Sequence, residues 1–180
     1  MLPSIIKRAM AVLFMLNFLS FNAGAQVSPV ALQAHFDAPA LVGKARLKVI
    51  FWDIYDASLI APQGTFEENK PFALELKYLR DFKGKEIASR SVDEMRDLGM
   101  NDEVKLAKWY QEMQDIFPNV KEGEMITGVV DAENVSHFYL NETPLGKVHD
   151  KEFSIWFFDI WLSEETSEPE MRRQLLGLVK

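Results

Sequence analysis

Phe72-Ala73-Leu74-Glu75-Leu76-Lys77-Tyr78-Leu79 alternates with a period of two. Phe72, Leu74, Leu76 and Tyr78 share one face and Glu75 and Lys77 the other, which predicts a strand with one side packed and one side wet. Upstream, Arg46 to Ile60 is rich in β-branched and aromatic residues and reads as one long strand, ended by Pro62-Gln63-Gly64. Its alternation slips near Trp52-Asp53, predicting a bulge or burial on both faces. Residues 26–42, with Pro29 and Pro39, read as an extended lead-in. Downstream, Lys85 to Leu98 places Ile87, Ala88, Val92, Met95 and Leu98 on one helical stripe, stopped by Gly99. Glu103 to Phe117 repeats the pattern behind an Asp102 N-cap. Three short strands follow, Glu124 to Val130, Val135 to Leu140 and Leu145 to Val148, spaced as an antiparallel meander. Lys151 to Leu162 is apolar nearly all round, as a buried helix is, and Glu168 to Leu176 is a last amphipathic helix with Pro169 in its first turn. Strand, helices, strands, helices is an α+β order, without the βαβ alternation of a parallel sheet.

The N-terminus has a different grammar. Lys7 and Arg8 precede the apolar run Ala9 to Phe21, and Ala23-Gly24-Ala25 is an A-x-A site that leaves Gln26 as the first mature residue. That order is the pattern of a cleavable signal peptide, and the run falls short of the ~20 residues a membrane span needs. Residues 1–25 are therefore expected to be a signal peptide and 26–180 a single periplasmic domain. With no cysteine, the cleavage is not of the lipoprotein type and the domain holds no disulfide. The formal net charge is −7, and it becomes more negative once the two cations of the signal leave. An acidic surface argues against nucleic acid and anionic membrane as partners. The core is expected to rest on the 13 Phe, 4 Trp and 4 Tyr.

Chemical motifs are sparse. The histidines are His35, His137 and His149, with no His-x-x-x-His spacing, and pairing parity in the predicted hairpin puts His137 and His149 on opposite faces. No metal site or cofactor is expected. There is no nucleophile elbow and no glycine-rich phosphate loop. The run Phe153 to Trp161 reads as core, with the lining of a ligand cavity as the alternative. Arg80 and Arg90 read as members of structural ion pairs with Asp81, Asp93 or Glu94, or as holders of a ligand carboxylate.

Five runs in order carry a resemblance: Lys48 to Leu59, Leu76 to Phe82, Arg90 to Met95, Phe138 to Asn141, and Phe158 to Leu162. Together they resemble the exported bacterial branch of the chalcone isomerase-like proteins, over most of residues 44–177. The resemblance implies an antiparallel sheet covered on one face by helices, with a ligand cleft between them. Relatives with this fold include plant chalcone isomerases and plastid fatty-acid-binding proteins. The isomerases use an arginine, a threonine, a tyrosine and an asparagine, and these positions fall near Ala40 and on Trp52, Ile87 and Glu94. None of the four matches, so the oxyanion-stabilising set is absent and flavanone formation is not expected.

Two functions follow from this reading. The first is a non-catalytic protein binding a small apolar or amphipathic ligand, a fatty acid among the candidates, through Trp52, Tyr55, Arg80, Ile87, Arg90 and Glu94. The second is an isomerase or intramolecular lyase acting on another substrate, with Glu94 as base. A protein partner with no small ligand is a third reading, which an exposed Trp-rich patch favours.

Overall fold

A computed structural model describes residues 32–179. The expected signal peptide, its cleavage site at Ala25 and Gln26, and residues 26–31 of the domain lie outside the described residues. Six strands form one sheet in chain order: β1 (Pro39–Val49), β2 (Trp52–Pro62), β3 (Phe72–Tyr78), β4 (Met125–Val130), β5 (Ser136–Leu140) and β6 (Thr143–Val148). Every neighbouring pair is antiparallel. Helices α1 (Gly84–Asp97) and α2 (Glu103–Ile116) connect β3 to β4, and α3 (Lys151–Leu162) and α4 (Pro169–Leu175) close the chain. The expected α+β architecture is the one observed.

The caps follow from local chemistry. Asp102 accepts the backbone N–H groups of Val104 and Lys105, both at 3.1 Å, which satisfies two of the orphan donors at the start of α2. Asp150 does the same for Glu152 and Phe153 at the start of α3, and its second oxygen accepts the indole N–H of the buried Trp109 at 3.0 Å. One carboxylate thus caps α3 and ties it to α2.

The inner face of the sheet carries the main core. Ala57, Leu59, Leu74, Leu76, Ile126 and Phe138 meet Ala88, Met95, Met113, Phe153 and Phe158 from the helices. Gly128 on β4 makes room for one of these rings, since a Cβ there would stand 2.8 Å from Phe158 Cζ. Gly43 on β1 lets the end of α4 approach, because a Cβ there would lie 2.2 Å from the Gln174 carbonyl oxygen.

Four expectations need correction. Arg46 to Ile60 is not one strand: β1 and β2 form a hairpin whose two-residue turn is Ile50-Phe51, between the paired Val49 and Trp52. The slip of phase near Trp52-Asp53 combines that turn, which no Gly, Asn, Asp or Pro announces, with the expected bulge: the register shifts between Leu47↔Tyr55 and Lys48↔Asp53, leaving Ile54 as the extra residue. Residues 39–42 of the expected lead-in already belong to β1. The second side of β3 is not wet, since Ala73 is 0 % and Glu75 2 % exposed. On that outer face Leu32 and Phe36 pack against Ile60, Ala73, Met125 and Val129, so β3 is a central strand covered on both sides. Finally, His137 pairs across β5–β6 with Lys147, two residues before His149, so the parity expected to put His137 and His149 on opposite faces is not the observed one; His149 lies just past the end of β6, and the ring beside His137 is that of His35.

Candidate functional site

Tyr55 and Tyr78 pair across β2 and β3 with their rings edge to face, 6.0 Å between centroids. They floor a cavity of about 560 Å³ between the sheet and the helices. Leu76 and Ile126 extend the floor, Leu47, Val49 and Ile54 of the β1–β2 hairpin form one rim, and Ile87, Phe117, Phe157, Ile160 and Trp161 form the walls. The lining is mostly apolar, and the volume falls in the range of about 300–1,000 Å³ typical of small-molecule sites. Part of the aromatic run in α3 therefore serves each of its two readings. Phe153 and Phe158 are pure core, while Phe157, Ile160 and Trp161 border the cavity.

The lining also carries a hydrogen-bonded polar set. Arg90 Nη2 donates to Glu94 Oε1 one helical turn away, and Ser167 Oγ donates to Glu94 Oε2 at 3.0 Å. The Arg90 side chain is 70 % exposed and that of Glu94 11 %, so the pair runs from the mouth inward. Glu168 also lines the site, and Glu86, whose carboxylate pairs with Lys83, stands on its lining as well. Deeper, Trp161 Nε1 donates to Tyr55 Oη at 2.9 Å. Burial holds the Tyr55 phenol well above its ordinary pKa, against the opposing pull of the Trp161 bond, with Glu168 and Glu94 adding to the rise. Burial does the same to Tyr78. Both phenols are neutral at physiological pH. Among the described residues nothing accepts the Tyr55 proton, so Tyr55 can offer it to a ligand. Ser91 does not compete, since its hydroxyl donates to the Ile87 carbonyl at 2.9 Å.

Of the six residues read from the sequence, the cavity gathers Tyr55, Ile87, Arg90 and Glu94. The other two leave it. Trp52 is 59 % exposed, and the Arg80 guanidinium stacks over its ring, 4.1 Å from the centroid. Arg80 makes no pair with Asp81, which bonds Lys121 instead at 2.6 Å. Arg90, by contrast, makes the expected ion pair and lines the cavity as well. Sequence reasoning did not single out Tyr78, Trp161 or Ser167 for the site, Trp161 entering only within the aromatic run whose alternative reading is a cavity lining. Alternation and helical spacing put the first two inside, but neither tells core from cavity wall, and Ser167 lies in the link before α4 without a motif.

The hairpin tip is the largest apolar exposure near the site, with Ile50 83 % and Phe51 93 % exposed beside Trp52. Among the described residues, no helix is long and apolar enough to cross a membrane.

Comparison with known proteins places this geometry. A family model described as chalcone isomerase-like matches residues 30–177. An uncharacterized protein of Haemophilus influenzae is 30% identical over 128 residues, covering 71% of this chain and 62% of its own length. The chain thus spans less than two thirds of that relative. Among solved structures, a fatty-acid binding protein of Arabidopsis thaliana superposes with a TM-score of 0.60 at 12% identity, over 79% of this chain and 88% of its own. At that identity the likeness speaks for the fold.

Proposed function

Because the chain belongs to the chalcone isomerase-like family, we propose that it is a non-catalytic binding protein that holds one small amphipathic molecule in the sheet–helix cavity. The observation that carries this is a preformed, largely apolar chamber of about 560 Å³ whose lining includes a small hydrogen-bonded polar set, Arg90, Glu94 and Ser167, beside the Tyr55 phenol. The solved fatty-acid binding protein of similar fold supports the same class of ligand. The apolar part of the ligand lies along Leu76, Ile126 and Phe157, and its polar end meets Tyr55, Arg90, Glu94 and Ser167.

Electrostatics narrows the head group. Arg90 is already paired with Glu94 and Glu86 with Lys83, and Glu168 adds a further carboxylate to the rim. A free carboxylate entering there meets net negative charge, whereas a hydroxyl or protonated acid finds both donors and acceptors. A neutral head group suits this rim better than an anionic one. The test is native mass spectrometry and thermal shift of delipidated protein with fatty acids, fatty alcohols and flavonoids. Binding at one equivalent with a raised Tm supports the reading, because a ligand of the native state must stabilise it. No bound mass and no shift at saturating ligand sinks it.

The convergence of Tyr55, Arg90 and Glu94 favours one second reading, an isomerase or intramolecular lyase with a substrate other than a chalcone. Both Glu94 oxygens already accept hydrogen bonds, from Arg90 and Ser167, an arrangement that suits orienting a ligand more than taking a proton. Full activity of Glu94→Gln on any substrate found would remove Glu94 as the base.

We also propose export to the periplasm, with residues 1–25 as a cleaved signal and residues 26–180 as one domain, on the sequence pattern alone. N-terminal sequencing of the protein recovered from a periplasmic fraction tests it. A first residue of Gln26 supports it, and an intact Met1 in the cytoplasmic fraction overturns it.

A further inference from the structure

The opposite face of the sheet carries a second cluster, unrelated to the cavity. Leu32 and Phe36 dock the turn before β1 onto the outer face, and this sets His35 above β5. There the His35 ring lies 4.4 Å from that of His137, centroid to centroid. His137 Nε2 is 2.7 Å from Asp131 Oδ2, and His35 Nε2 is 2.7 Å from the Tyr139 hydroxyl. One ligand-type atom from each of His35, His137 and Asp131 lies within 4.8 Å of the other two.

We propose that His35, His137 and Asp131 form a binding site for a late first-row divalent cation of the zinc class, on the outer face of the sheet. The donor set is two imidazoles and a carboxylate, the borderline nitrogen and oxygen ligands that such ions take. Tyr139 Oη and water stand ready for the remaining positions. The carboxylate is already oriented, because Asp131 Oδ1 accepts the backbone N–H groups of Glu133 at 3.0 Å and Val135 at 2.8 Å, leaving Oδ2 turned to the histidine. Supporting bonds of this kind fix a metal ligand in place. Side-chain exposures of 21 % for His137 and 15 % for Asp131 leave a path for an ion while keeping most water away. Tetrahedral coordination at bond lengths of about 2.1 Å spaces the ligand atoms about 3.4 Å apart. Reaching that value requires the 2.7 Å contact between His137 Nε2 and Asp131 Oδ2 to widen as the ion enters between them, with the half-buried His35 ring adjusting on its turn.

The bound ion would act as a staple. It would tie the segment before β1 to β5 and to the β4–β5 turn, groups 96 or more residues apart in the chain, and it would use nothing of the cavity. Failure of this proposal and failure of the ligand-binding reading are therefore separate results.

The experiment is calorimetric titration of tag-free, chelator-treated protein with Zn²⁺, with Co²⁺ as a spectroscopic probe of the same site. One equivalent is expected to bind, to raise Tm, and to give Co²⁺ the intense visible bands of four- or five-coordination. His35→Ala and His137→Ala are each expected to weaken binding at least 100-fold, while His149→Ala, at an exposed position outside the cluster, leaves it unchanged. His35 sits on a turn, so its variant tests the site even if the strand variant folds poorly. The proposal is overturned by no binding at millimolar Zn²⁺, by Co²⁺ that keeps its weak aqueous spectrum, or by affinity that survives loss of both histidines.

Discussion

Trp161 of α3 donates its indole N–H to the phenol oxygen of Tyr55 on β2, at 2.9 Å, across the cavity interior. This bond joins helix to sheet where apolar packing between them is interrupted by a chamber. It also fixes the polarity of the chamber, since Tyr55 is then an acceptor toward Trp161 and a donor toward the interior.

Tyr55→Phe removes the acceptor and leaves the Trp161 N–H without a protein partner. The expected loss is about 1–2 kcal/mol of stability, the cost of an unmet buried donor. A lower urea midpoint at unchanged slope checks it, and Trp161→Phe alone should couple to it in a double-mutant cycle.

Gly128 is a packing glycine. A methyl group there meets Phe158 at 2.8 Å and Phe138 at 3.2 Å. Gly128→Ala is expected to cost about 1–3 kcal/mol by overpacking. Adding Phe158→Leu should return part of that loss, and an additive pair of losses would show that the contact is not the cause.

The hairpin turn carries strain that packing does not repay. Ile50 holds a φ of 55° while 83 % exposed, a conformation that a β-branched residue adopts at a cost. Ile50→Gly is expected to raise stability by up to about 1 kcal/mol, read as a higher denaturation midpoint.

Burial in α3, with Glu68 nearby, raises the pKa of Asp159 above its ordinary value. The native state then binds the proton more tightly than the unfolded chain does. Stability at this residue falls as pH rises from the unfolded pKa through the raised folded one, and the penalty is complete above the folded pKa. The last turn of the helix adds to it, since the macrodipole opposes an anion there. Asp159→Asn should therefore stabilise by roughly 0.5–1 kcal/mol at neutral pH. The gain should shrink below the ordinary carboxylate range, and a gain that grows on acidification contradicts this assignment.

Much of the fold was legible because its signals are local. The stripe of α1, the Asp102 cap and the alternation on the inner face of β3 each place an element without reference to the rest. The β1–β2 hairpin was not legible, because Ile50-Phe51 has the composition of a strand and only the tertiary structure turns it. Burial of Glu75 was hidden for a related reason. A charged residue in alternation reads as wet, and its cover comes from beyond the strand. At the site, Tyr55, Ile87, Arg90 and Glu94 were found through family correspondence and helical spacing, whereas the Ser167 contact spans 73 residues. Arg80 lies outside the cavity with its guanidinium over the exposed Trp52 ring, a contact between distant residues that no spacing in the sequence reports. His35 and His137 meet only through the docking of a turn, which no spacing rule reports.

The most direct test of the central claim is a binding titration of delipidated protein with a long-chain fatty alcohol and the matching fatty acid, for wild type, Ile87→Trp and Glu94→Gln. The account predicts that wild type binds one equivalent and prefers the alcohol. Ile87→Trp, which fills the cavity, should abolish binding without unfolding the protein. Glu94→Gln frees the Arg90 guanidinium and should strengthen fatty-acid binding by about tenfold, roughly 1.4 kcal/mol, with little change for the alcohol. No binding of either ligand to wild type, or binding that persists in Ile87→Trp, would contradict it.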